Sequence, residues 1–204
     1  MKKSLLIVFC LNVSFVSAND LLIENPYSNS FKKAYALNPS IPKGILEAVA
    51  FTQSRFTHLV PVDEKSCIDY PNAYGIMGLI LDGKNYFRNN LVKVSQLSGY
   101  SESEIISSPE SSILAYAKAI SKLQEEKNVY GYDVKKYISI FTELSEIPLD
   151  NNLQNNFALN THLYQLFWFL SNSEFQDFYS FPDYQINLEN IFGDNYKILN
   201  SNFL

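Results

Sequence analysis

The 204-residue chain is poor in cysteine, with only Cys10 and Cys67. Cys10 lies in an N-terminal apolar stretch expected to be removed, and the single remaining thiol excludes an intramolecular disulfide framework. Cys67 reads as a small buried apolar residue rather than a reactive thiol. Soft metal ligands are equally scarce. His58, His162 and Cys67 are scattered without ligand spacing, so neither a metal nor another cofactor is expected. Glycine and proline number only 7 and 8, and no stretch sustains apolar–polar alternation, which argues against a β-rich fold and against a Gly/Ser linker. Positive charge is also short, with 16 Lys and Arg against 21 Asp and Glu and a net charge of −5. A nucleic-acid polyanion is normally met by clustered basic residues, so no nucleic-acid partner is expected. After the N-terminal stretch no segment is long and apolar enough to span a bilayer.

What is present begins with an export leader. Lys2 and Lys3 form a basic start, Leu5 to Val16 is mostly apolar, and Val16-Ser17-Ala18 offers small residues for cleavage after Ala18. Residues 1–18 are therefore read as a signal peptide, and the mature chain as periplasmic or secreted with no stable membrane anchor. Loss of Lys2 and Lys3 takes the net charge from −5 to −7. Residues 19–181 read as one all-α domain, and 182–204 as a C-terminal tail or the start of a linker to a further domain, with one apolar cluster at Leu188, Ile191 and Phe192. The pattern predicts helices over 28–37, 42–54, 86–97, 134–145 and 153–172, and an amphipathic helix opened by Pro109-Glu110 with Ile113, Ala117, Ile120 and Leu123 along one side. Pro42 suits a first helical position, and Ser101 with Glu104 fits a capping box. The 153–172 helix carries apolar residues around nearly its whole circumference, from Leu153 and Phe157 to Phe169 and Leu170. That predicts a central helix buried on most sides.

One stretch carries chemical information. Pro42 to Phe56 reads as an apolar helix ending in Gln53-Ser54-Arg55-Phe56, and after a polar loop comes Tyr74-Gly75-Ile76-Met77-Gly78-Leu79. This pair of segments resembles the core of the soluble lytic transglycosylases, lysozyme-like enzymes that cut peptidoglycan glycan strands. Their signature is a buried helix ending in Glu-Ser-x-Phe, followed by Gly-Leu-Met-Gln. The likeness spans Ile41 to Gln124, with Pro109 to Ala117 resembling the helix after the catalytic cleft. The family's later Ala-Tyr-Asn-Ala-Gly motif has no counterpart. Over the whole mature chain, Phe157-Ala158-Leu159, Leu163-Tyr164 and Leu188 to Gly193 resemble the degenerate lysozyme-like region that precedes the zinc domain in large secreted bacterial N-acetylmuramoyl-L-alanine amidases. That zinc domain is missing here, so amidase chemistry is not implied.

The resemblance implies a lysozyme-like fold in which Gln53 occupies the position of the catalytic acid. A glycosidic leaving group needs a proton from a carboxyl whose pKa is raised by an apolar pocket. An amide has no such proton, and losing a general acid costs roughly 10²- to 10⁴-fold. Glu47 is no substitute, because six residues at 100° each place it about 240° around the helix from Gln53. Glu64, with Asp63 and Asp69, lies in the loop expected to overhang the cleft and is the candidate for a relocated carboxylate. Ser54, Tyr70, Tyr74, Gly75, Ile76, Met77 and Gly78 are the expected substrate contacts. The resulting expectation is a catalytically degenerate, peptidoglycan-associated domain that binds cell-wall glycan or assists a cell-wall hydrolase. Two alternatives stay open: an active transglycosylase or muramidase with a moved carboxylate, and an envelope protein-interaction module on the same fold.

Overall fold

The computed structural model describes residues 22–60, 71–82 and 88–201. The leader, Asp63, Glu64, Cys67, Asp69, Tyr70 and Tyr86 lie outside the described residues. Among the described residues the chain is all-α apart from one small hairpin. Its first elements are α1 (Ser28–Leu37), α2 (Ile45–Ser54), β1 (Ala73–Tyr74), β2 (Leu79–Ile80), α3 (Asn90–Ser98) and α4 (Glu102–Ser107). They are followed by α5 (Pro109–Lys127), a 3-10 turn at Val134–Tyr137, α6 (Ile138–Ser145) and α7 (Leu153–Ser171). The last are α8 (Ser173–Tyr179), α9 (Leu188–Phe192), a 3-10 turn at Gly193–Asn195 and α10 (Tyr196–Leu199).

The local starts and stops follow side-chain chemistry. Ser101 and Glu104 form the reciprocal capping box of α4. Ser108 accepts from the Ser111 N–H ahead of Pro109, the first residue of α5. Asn152 caps α7 by accepting from the Gln154 and Asn155 N–H groups. Two expectations fail at helix starts. Pro42 does not open α2, because Gly44 adopts φ 88° and the helix begins at Ile45. Glycine is required there: a Cβ on Gly44 would come within 2.6 Å of the Phe181 ring. Of the helix expected over 86–97, Tyr86 lies outside the described residues, Arg88 and Asn89 are not helical and α3 begins at Asn90, because Asn89 and Asn90 hold other elements. Asn90 Oδ1 accepts from the Ile80 N–H at 2.6 Å, its Nδ2 donates to the Leu144 carbonyl at 3.1 Å, and Asn89 Oδ1 accepts from the Asp82 N–H at 2.9 Å.

Helix α2 is enclosed along most of its length. Every residue from Ile45 to Phe51 is buried. The expectation of a central α7 holds for only part of that helix. From Leu159 onward it packs into the core, with Phe169 5.1 Å from Phe51, 4.8 Å from Phe175 and 5.5 Å from Phe181 between ring centres. Its first turns project past the body, leaving Leu153 79% and Phe157 44% exposed. The C-terminal segment returns to α7: Phe192 packs on Tyr164 and Phe167, and the Tyr164 hydroxyl donates to Asn200 Oδ1.

Candidate functional site

The end of α2 is built to present one side chain. The helix closes with Arg55 and Phe56 both left-handed, at φ 53° and 56°, an arrangement that costs non-glycine residues roughly 1–2 kcal/mol each. Packing offsets that strain. Phe56 is buried against Phe31, Phe51 and Tyr179. The Arg55 guanidinium lies 4.2 Å over the Phe51 ring and donates to the Phe51 carbonyl at 2.8 Å. Burial lowers the Arg55 pKa from its ordinary value.

The hairpin turn is pressed against this helix end. Ser54 Oγ lies 2.6 Å from the Ile76 carbonyl oxygen and 2.9 Å from that of Ala50, so its single proton is shared between them. Leu59 and Gly75 exchange backbone hydrogen bonds of 3.3 and 2.8 Å, which tie the strand leaving α2 to the turn. Gly78, at φ 59°, packs so closely that a Cβ there would meet Gln53 Cβ at 2.6 Å. Gly75, at φ 68°, approaches Ser112 on α5 in the same way.

Gln53 opens into a cleft of about 600 Å³ between the end of α2, Arg88 ahead of α3, the α6–α7 connection and one face of α7. Gln53 Nε2 lies 3.1 Å from His162 Nδ1. An amide nitrogen only donates, so Nδ1 accepts and the imidazole carries its proton on Nε2. Burial, followed by the nearby Arg88 cation, lowers the His162 pKa to about 4, so the ring is neutral at ordinary pH. Arg88 and Glu146 line the same cleft. The Glu146 carboxylate accepts from the Asn89 N–H at 2.8 Å, and its backbone is left-handed at φ 51°. Thr161 contributes a buried hydroxyl with no hydrogen-bond partner, and Asn155 and Gln165 add exposed or half-buried amides.

Of the expected contacts, the cleft lining brings in Gln53. Ile76 and Met77 are 0% and 1% exposed, so their side chains serve the core rather than a ligand. Gly75 and Gly78 make their close approaches to Ser112 and Gln53, not to an open surface. Ser54 is engaged as a strut, and Tyr74 is half-buried against the core. Tyr70 and Glu64 lie outside the described residues. Sequence reasoning missed Arg88, Glu146, Thr161 and His162 as parts of one site. The usable sign was on α7: Asn155, Ala158, Thr161, His162 and Gln165 recur at three- and four-residue spacing and form a polar, small-residue stripe along one face of the helix.

Chemically, the cleft offers hydrogen bonds and little proton transfer. Gln53 has no acidic proton, the His162 imidazole is neutral, and among the described lining residues Glu146 is the carboxylate. Among the described residues no group of three His, Cys, Asp or Glu side chains is placed to hold a metal ion. No protein-family model, curated protein or solved structure matches the chain.

Proposed function

We propose that the chain is a lysozyme-like domain whose cleft binds peptidoglycan glycan without cutting it, alone or as an accessory to a cell-wall hydrolase, outside the cytoplasm. The observation that carries this reading is the Gln53 amide on the cleft wall, held by the neutral His162 ring where a cleaving enzyme needs a carboxyl. The buried helix ending at the cleft, the tight turn pressed on it and the Ser54 strut support the lysozyme-like part of the reading. Amide and hydroxyl groups in an open cleft suit a neutral sugar, which is recognised by directed hydrogen bonds rather than by charge.

The mature protein is expected to release no soluble muropeptides from purified peptidoglycan. Chitotetraose is expected to shift the NMR resonances of Gln53, Thr161 and His162, with an affinity that changes little between low and high salt, because a neutral ligand leaves few charges to screen. Gln53→Leu should abolish those shifts while lowering stability by only about 1 kcal/mol, the usual worth of one hydrogen bond. Anhydromuropeptides in the digest would overturn the non-cutting reading, and Glu146→Gln would then test the carboxylate left in the cleft. Absence of any shift at millimolar sugar would overturn the glycan reading itself.

A second reading has its own observation. Leu153 and Phe157, four residues apart on the first two turns of α7, are 79% and 44% exposed and form an apolar ridge beside the cleft, with Leu149, 78% exposed, just before the helix. Such a ridge favours a protein-interaction module. Triple substitution of these residues by Ser should then leave the fold and sugar binding intact and abolish capture of a cell-wall hydrolase. Unchanged capture by the triple variant would sink this reading.

A further inference from the structure

The opposite end of α2 holds a second pocket, of about 410 Å³, between the segment before α1, α1 itself, the start of α2 and the end of α8. Glu47 lies in its wall, six residues before Gln53 and so about 9 Å back along the helix. The Tyr35 hydroxyl donates to Glu47 Oε2 at 2.5 Å and accepts from the Leu46 N–H at 3.1 Å. Glu47 is only 8% exposed.

A charge is not needed for these contacts. A glutamine oxygen would accept the Tyr35 proton as well, and it would avoid the desolvation of a buried anion. The pocket around the carboxylate supplies a reason for the charge, because its walls carry both signs. Glu47 and the exposed Glu24 bring carboxylates to the lining, the exposed Lys32 and Lys43 bring cations, and Phe178 and Tyr179 give an aromatic surface. The Lys43 backbone is fixed by the Tyr184 hydroxyl, which donates to its carbonyl at 2.6 Å.

We propose that this pocket binds a zwitterionic α-amino acid with an apolar side chain. The ammonium pairs with Glu47 and Glu24, the carboxylate with Lys32 and Lys43, and the side chain lies on Phe178 and Tyr179. A ligand carrying one charge alone would leave half of the polar wall unmatched. The site is independent of the sugar cleft and does not rest on it.

Burial raises the Glu47 pKa to about 7, against the hydrogen bonds and the Lys43 cation that pull it down. The other titratable groups facing it are Tyr35 and Lys32 of α1, Glu24, Tyr179 of α8 and Tyr184. The ammonium pairs with the ionised form, so binding should tighten as pH rises through about 7.

The test uses L-phenylalanine, N-acetyl-L-phenylalanine and L-phenylalanine methyl ester as probes, titrated at pH 8 into the mature protein and followed by NMR. Phenylalanine should shift Tyr35, Glu47 and Tyr179 in a saturable way. The two blocked analogues, each lacking one charge, should bind at least tenfold more weakly. Glu47→Gln and Lys43→Gln should each weaken phenylalanine at least tenfold, whereas Gln53→Leu should leave it unchanged. No saturable shift at millimolar phenylalanine, or equal binding of the blocked analogues, overturns the proposal. Retained binding by a folded Glu47→Gln variant also overturns it.

Discussion

Glu47→Gln should make the protein more stable at pH 8, by about 3 kcal/mol at most, and should have almost no effect at pH 4. The carboxyl has an ordinary pKa of 4.5 and a folded-state value of about 7, raised chiefly by burial beneath Tyr35. Below 4.5 it is protonated in both states and contributes no pH dependence. Between 4.5 and 7 the unfolded chain releases the proton and the folded chain keeps it, so folding becomes less favourable as pH rises. Above 7 the loss is complete and constant, at about 1.4 kcal/mol for each pKa unit of difference. Glutamine removes the ionisation and keeps the acceptor for Tyr35. Urea midpoints of the two proteins compared from pH 4 to pH 8 isolate this effect from that of His162. The His162 slope is opposite: its pKa is lowered from 6.5 to about 4, so its contribution is lost as pH falls through that window. A difference between the two proteins that does not change with pH would show that Glu47 ionises normally. A Glu47→Gln variant less stable throughout would show that the charge on the α2 N-terminus is itself stabilising.

Gly78→Ala should lower stability by about 3 kcal/mol and disturb the cleft with it. Two costs combine. A non-glycine residue at the φ of 59° found there loses roughly 1–2 kcal/mol. The added Cβ would also meet Gln53 Cβ at 2.6 Å and the Gln53 carbonyl oxygen at 3.2 Å. That contact is with the rigid root of a side chain and with backbone, so the turn and the end of α2 must separate, and overpacking of this kind costs about 1–3 kcal/mol. Gly131 provides the control. Its φ is 89°, but nothing lies within 4 Å of the position a Cβ would take. Gly131→Ala should therefore lose only the conformational part, about 1 kcal/mol. Thermal unfolding of the two variants, with the Gln53 side-chain amide followed by NMR, separates strain from collision. Equal losses at both positions would show that Gly78 needs only its backbone freedom and that its contact with Gln53 is slack.

The sequence by itself determined the elements whose causes are local. It placed α1 at its observed bounds and located the α4 capping box and the proline start of α5, because periodicity and capping act within a few residues. It also put Gln53 on the last turn of a buried helix. Tertiary structure decided the features that depend on distant partners. Gln53 meets His162 across 109 positions, and no spacing rule connects them. Pro42 was displaced from α2 because Phe181, far along the chain, packs onto Gly44. The apolar circumference of α7 suggested burial throughout, yet how much of a helix is covered depends on how far its neighbours reach, and they stop short of Leu153 and Phe157. Helical phase placed Glu47 on the face away from Gln53. Only the tertiary fold brought Tyr35 of α1 onto it and enclosed the carboxylate, because desolvation is set by everything that surrounds a charge and not by its neighbours in sequence.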